Sequence, residues 1–247
     1  MRVCKIWCLT MFEDYFERFL DCGVIGQAFR GERGEELKFE FHNVYIPKFC
    51  KKGFKGVDDS PYGGGVGMIM RPDVLKEALE SGVVRAGAYK SLQDLQIICP
   101  APRGRTWNHT YAKEFAKNHL SIDNSKDLVF ICGRYEGIDE RFLEKYVNEF
   151  ISLGDYILTG GELATMVILD SALRFSPGIL GNKDSAVEES FNGSGLEHAL
   201  YTRPFAFEGV NVPDELKSGD PKQIAEFKKQ SSHAMTQKYR PDLLKNE

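Results

Sequence analysis

Between residues 131 and 162 the chain reads ICGRYEGIDERFLEKYVNEFISLGDYILTGGE, and three tight glycine turns interrupt it. Gly133-Arg134-Tyr135-Glu136-Gly137 and Leu153-Gly154-Asp155-Tyr156 each follow an apolar run. Leu158-Thr159-Gly160-Gly161-Glu162 comes just before a helical stretch. Glycine has no Cβ, so apolar strands that end in such turns bring backbone N–H and C=O groups close to a ligand. Three of them in one segment imply a single pocket built largely of main chain.

The flanking segments place this pocket in an alternating chain. Val3–Leu9, Leu37–Ile46, Leu95–Cys99, Leu128–Cys132 and Glu149–Leu153 read as strands. Pro100–Arg105 reads as a turn ending the third of these. Met11–Cys22 reads as one amphipathic helix, with Phe12, Phe16, Phe19 and Leu20 on one face and Gly23 as its stop. Pro72–Leu79, Asn108–Asn118, Ile138–Val147 and Glu162–Phe175 are the other helices, and residues 47–67 form a long loop of the kind that is usually functional. Strand and helix in alternation mean an α/β fold with a largely parallel sheet. Residues 181–195 are polar, acidic and Gly/Ser-rich and read as a linker. Residues 196–247 carry a helix-compatible run, Pro221–Gln237, and read as a small, mainly helical second domain.

A hydrophobic content of 42% with 28% charged residues excludes a disordered chain, and 247 residues need no disulfide staples. The six cysteines form no CxxC pair and the five histidines do not cluster with them, so we expect buried thiols in a reduced, cytoplasmic protein rather than a zinc site. The N-terminal apolar run is too short for a signal peptide, and no stretch is long enough to span a membrane. The net charge of −4 does not favour a nucleic-acid partner, although Lys48, Lys51, Lys52 and Lys55 gather in one loop. That loop reads first as a solvated surface, with a phosphate contact as the alternative.

Familiar nucleotide loops do not fit. PYGGGVG at 61–67 has Met68 where G-x-G-x-x-G needs glycine, and no P-loop is present. Cys132 ends a strand without a nearby histidine, which suits a core thiol.

Several stretches do match one family. VDDSPYGGGVGM at 57–68, PRGR at 102–105, CGRYEGIDER at 132–141, SLGDYILTGGELATMVILDSALRFSPGILG at 152–181 and HALYTRPFAFEGVNVPDELKSGDPKQI at 198–224 occur in order over nearly the full length. Together they closely resemble the bacterial tRNA (guanine-N1)-methyltransferases, SPOUT-class enzymes that methylate guanosine 37 of tRNA. The resemblance implies a SPOUT-type parallel sheet whose C-terminal part is threaded as a trefoil knot, in a domain over 1–180. Residue patterns alone call for an ordinary doubly wound sheet. It also implies a homodimer with active sites shared between chains, a tRNA-binding second domain, and S-adenosylmethionine held by three loops. Those loops match Ala101–Gly104, Gly133–Gly137 and Ser152–Gly161. The implied donor-binding residues are Pro102, Gly133, Tyr135, Glu136, Gly137, Ser152, Leu153, Gly154, Asp155, Tyr156, Ile157, Leu158, Gly160 and Gly161. The resemblance leaves room for Mg²⁺ as a cofactor and assigns no metal ligand.

Guanine N1 carries a proton, so methylation there needs a carboxylate to remove it and a cation beside O6. The resemblance assigns the cation to Arg174; on the residues alone, Arg174 reads as a helix ion pair with Asp170. The family base is an aspartate in an E-D-S-F stretch. Here the stretch is Val187-Glu188-Glu189-Ser190-Phe191, so Glu189 takes the aspartate's place with Glu188 adjacent. That departure keeps open a second reading, a protein that binds S-adenosylmethionine and RNA with little or no catalysis. Glu136 is a further carboxylate near the pocket. Arg203, Lys228 and Lys229 are candidates for phosphate contact in the second domain.

Overall fold

In the computed structural model, residues 2–34, 37–50, 56–181, 189–193 and 195–246 are described. Lys51, Lys52, Lys55, Val187 and Glu188 lie outside them. The chain divides into two compact units, Met1–Gly181 and Asn182–Glu247.

In the first unit, β1 (Arg2–Thr10) leads through a 3-10 turn at Glu13–Phe16 to α1 (Glu17–Asp21), α2 (Gly23–Phe29) and β2 (Leu37–Tyr45). Two short strands, β3 (Asp58–Asp59) and β4 (Ile69–Met70), pair antiparallel ahead of α3 (Pro72–Leu79). Then β5 (Leu95–Thr106), α4 (His109–His119), β6 (Asp127–Ile131), α5 (Glu140–Tyr146), β7 (Glu149–Ser152) and α6 (Gly161–Leu173) alternate. The main sheet has the order β2-β1-β6-β5-β7, and every pairing in it is parallel.

A parallel sheet covered on both faces needs strands that are apolar on both faces. Successive side chains sort accordingly. Cys4, Ile6, Cys8, Leu128, Phe130 and Ile98 face one core, with Phe115 of α4 and Ile168, Leu169 and Leu173 of α6. Trp7, Leu9, Val129, Ile131 and Ile97 face the other, with Leu75 and Leu79 of α3 and Phe142 of α5. Each wholly buried Leu or Phe stabilises the fold by roughly 1.5–3 kcal/mol.

Three expectations are corrected. Met11–Cys22 is not one helix: a 3-10 turn precedes α1, the chain is extended at Cys22, and Gly23, at φ +67°, opens α2 rather than ending the element. The two helices then touch at Gly26, where a Cβ would lie 2.6 Å from the Asp21 carbonyl carbon. Pro100–Arg105 does not end β5. It is an excursion within the strand, since both Pro100 and Arg105 pair with Ile151 of β7. The thiols are not all buried: Cys4, Cys8, Cys99 and Cys132 are, but Cys22, at the α1–α2 break, is exposed and Cys50 is partly so.

The second unit contains a small hairpin, β8 (Ala206–Phe207) with β9 (Val210–Asn211), and one long helix, α7 (Pro221–Tyr239). Asp220 caps α7 by accepting the Lys222 N–H at 2.9 Å, with proline at the first helical position. Among the described residues no helix is long and apolar enough to cross a membrane.

Candidate functional site

A cavity of about 470 Å³ opens at the carboxyl ends of β5, β6 and β7, the three adjacent strands on one side of the sheet. That is where open α/β sheets bind ligands, because the loops that leave the strands diverge there. The volume suits a small molecule.

Its first wall is the β5 excursion, Pro100–Arg103. The chain can rejoin β7 because residue 104 is glycine: a Cβ there would lie 2.4 Å from the Ile151 nitrogen. Arg103 pairs with Glu140 at the start of α5, which holds the Glu140 carboxyl below its ordinary range.

The second wall is the turn after β6, Gly133–Ile138. Tyr135 sits at φ +59° and Gly137 at φ +132°. A non-glycine residue in the left-handed region is held there by its surroundings. Those surroundings are β4 and its approach: the Glu136 N–H donates to Met68 O at 3.0 Å, and Gly137 O accepts the Met70 N–H at 2.9 Å. Gly67 lets the strand come this close, since a Cβ would meet Glu136 Cγ at 2.4 Å. Burial, with Asp58 of β3 alongside, pushes the Tyr135 phenol up.

The third wall runs from Ile151 to Gly161 and includes Ala164 of α6. Ser152 fixes its start, its carbonyl accepting the Trp107 N–H at 2.7 Å. Gly154, at φ +149°, lies under the Tyr156 ring. Tyr135, Tyr156 and Ile157 are exposed, and Ile157 shows 81% of its surface to solvent.

Of the fourteen residues assigned to donor binding on resemblance, all but Asp155 line this one cavity. Glu136 is in the wall. Cys99 also lines it, but burial pushes its thiol up to about 12, which leaves it protonated and unsuited to nucleophilic attack. Arg174 follows the last turn of α6 and is half-buried. It lies about 20 Å along the helix axis from Gly161. Glu189 belongs to the second unit, in a turn where its carbonyl accepts the Asn192 N–H at 3.2 Å. Lys48, taken as a phosphate candidate, pairs with Glu13.

Sequence reading missed Arg134 as a participant, although it stands inside the CGRYEGIDER match. The available signal was Glu162, an acid at the start of an apolar helix that proves wholly buried. Among the described residues no group of three or more His, Cys, Asp or Glu side chains is placed to hold a metal ion. Five glycines line the cavity, Gly133, Gly137, Gly154, Gly160 and Gly161, and its charged side chains are Arg103, Arg134 and Glu136.

Residues 4–246 match the family model described as tRNA (Guanine-1)-methyltransferase TrmD. A protein of Rickettsia akari (strain Hartford), described as tRNA (guanine-N(1)-)-methyltransferase, is 41% identical over 251 residues, covering 100% of both chains. Proteins of the same description from Bartonella henselae and Dechloromonas aromatica are each 40% identical, over 95% and 96% of this chain and 92% and 89% of theirs. On that full-length match and the site it encloses, the chain belongs to the tRNA (guanine-1)-methyltransferase family.

Proposed function

We propose that the chain transfers a methyl group from S-adenosylmethionine to N1 of guanosine 37 in tRNA. The observation that carries this is one cavity formed by the three loops that the resemblance assigns to the donor, inside a chain that matches the family over residues 4–246. When bound, the donor supplies a methyl group on an electrophilic sulfonium. The chain holds adenosine-like polar edges through Ala101–Arg103, Gly133–Gly137 and Ser152–Gly161 and keeps water from the mouth with Tyr135, Tyr156 and Ile157. Glu189, in the place of the family aspartate, takes the N1 proton, and Arg174 stabilises charge growing on O6.

The position of Arg174 supports a homodimer. About 15 Å of helix separates it from Ala164, the last residue of α6 in the cavity wall of its own chain. Leu163, Val167, Asp170 and Arg174 recur at helical spacing, so they share one face of α6. Leu163 and Val167 are exposed on it. A two-fold contact across this face, with the helices antiparallel, carries Arg174 of the partner subunit toward the cavity end of α6. The knotted path from β7 into α6 is what the resemblance implies; Gly161 at the start of α6 packs closely on the end of β6, its Cβ position 2.8 Å from Cys132 Cα. The second unit, with exposed Arg203 and Lys229, is the further tRNA contact, and residues 181–195 are the linker to it.

The test is transfer of labelled methyl to tRNA transcripts bearing G36 and G37, followed by nucleoside analysis. The expected product is 1-methylguanosine, lost when G37 is replaced by adenosine. Donor and tRNA binding without any product would favour the non-catalytic reading, which rests on glutamate at 189. Methylation at another nucleotide would overturn the assignment.

A further inference from the structure

Glu162 has no place in the cavity wall, yet the wall is organised around it. It is wholly buried at the first turn of α6. Thr10, the last residue of β1, donates its hydroxyl to Oε1 at 2.8 Å. Arg134 reaches the same carboxylate twice, with Nε 3.3 Å from Oε1 and Nη2 2.9 Å from Oε2. The remaining guanidinium nitrogen, Nη1, donates to Thr159 O at 3.2 Å. Phe12 covers the guanidinium, with its ring centre 4.5 Å away, and Tyr15 lies at 5.6 Å.

This pair sits directly against the wall. A Cβ on Gly160 would lie 2.3 Å from Arg134 Nε and 2.6 Å from Glu162 Oε2, so any larger residue there displaces the ion pair. Arg134 belongs to the turn after β6, and Thr159 and Gly160 belong to the turn before α6. One buried carboxylate therefore ties two of the three walls together and anchors both to β1. The arrangement is an expensive way to fill a core. A buried ion pair is often no more stabilising than apolar residues of the same volume, but it has directions that an apolar core lacks. The same guanidinium borders a second concavity lined by Phe12, Tyr15 and Tyr45, so it is the partition between two hollows.

We propose that Glu162 is a positioning residue for the methyl donor: it fixes Arg134, and through Arg134 it sets the spacing between the turn after β6 and the turn before α6. The inference rests on the reading of the cavity as the donor site. Its energetic logic is that a binding wall displaced by a fraction of an ångström loses several aligned main-chain hydrogen bonds together.

The experiment uses the full-length protein with Glu162→Gln and Thr10→Val. Calorimetry measures S-adenosylmethionine binding, steady-state assays separate KM for the donor from KM for tRNA, and thermal denaturation reports stability. In Glu162→Gln the donor Kd and KM rise about 10-fold or more while KM for tRNA stays within about 2-fold. Thr10→Val keeps the ion pair, removes one anchor and is close in volume; it gives a smaller rise of about 3-fold in the donor Kd alone. A lowered melting temperature with unchanged donor Kd in the folded protein overturns the inference, because that is what a purely structural ion pair gives. If Glu162→Gln does not fold, Thr10→Val decides, and an unchanged donor Kd there overturns it as well. Failure of the unsubstituted protein to bind S-adenosylmethionine overturns the site reading itself, a distinct result.

Discussion

The amide of Gly161 donates a hydrogen bond to the carbonyl of Gly133 at 3.0 Å, joining the first residue of α6 to the first residue of the turn after β6. At this point two stretches of main chain run with no side chain between them.

Gly161→Ala should therefore be costly. The new methyl would lie 2.8 Å from Cys132 Cα, backbone just past the end of β6 that is tied to β1 by the Cys132 N–H on Leu9 O. Overpacking of this kind costs about 1–3 kcal/mol, and each kcal/mol lowers the melting temperature of a chain this size by roughly 2–4 °C. Scanning calorimetry measures it; an unchanged melting temperature would show that the passage is looser than the geometry requires.

Glu189→Gln should bind S-adenosylmethionine normally and lose methyl transfer by about 10²-fold or more, because the amide cannot take the N1 proton. Glu188→Gln is the control. Were Glu188→Gln the dead variant and Glu189→Gln the active one, the base would be the neighbouring carboxylate.

Leu163→Glu, and independently Val167→Glu, place a charge in the middle of the exposed stripe on α6. If that face joins two copies, sedimentation should show monomers where the unsubstituted protein gives dimers, with methyl transfer reduced at least about 10-fold because each site then lacks Arg174 of the partner subunit. A dimer of unchanged mass in both variants would place the interface elsewhere.

Alkaline pH should destabilise the protein. Burial pushes the Cys4 and Cys99 thiols up to about 12 from an ordinary 9.0. Above pH 9 the unfolded chain therefore releases these protons first, so stability is intact below that point and is lost as pH rises toward 12. Each thiol contributes a slope of about 1.4 kcal/mol per pH unit in that window. Tyr89 and Tyr111, also pushed up by burial and by the carboxylates of Asp127 and Glu149, add in the same direction at higher pH. Urea titrations between pH 8 and 11 on Cys4→Ala and Cys99→Ala measure the slope, which each replacement should flatten.

The parts of this architecture that were legible in the sequence are those governed by neighbours along the chain. Leu128–Ile131 announces a strand buried on both faces because every residue is apolar, and the proline at 72 announces the start of α3. The glycines at 133, 137, 154 and 160 announce turns that can approach a ligand. The break between α1 and α2 was hidden because Phe16, Phe19 and Leu20 keep a helical period up to it. The continuation of β5 beyond Cys99 was hidden because Pro100 and Gly104 look like a terminus, and only pairing with Ile151 turns them into an excursion. Glu162 was the least legible. Its neighbours describe an acid at a helix start, while its partners are Thr10, 152 residues away, and Arg134, 28 away.

A cavity lined by five glycines has a consequence for any inhibitor aimed at it. Point mutation changes side chains, and the amides of Gly133–Gly137 and Ser152–Gly161 stay chemically the same whatever the codon. Two of the lining glycines are hemmed in: Gly160 by Arg134 and Gly161 by the Cys132 backbone. A substitution that narrows the cavity at these points also strains its wall. A compound seated against Gly160 and Gly161 therefore meets two positions where a larger side chain is gained only at a cost to the fold.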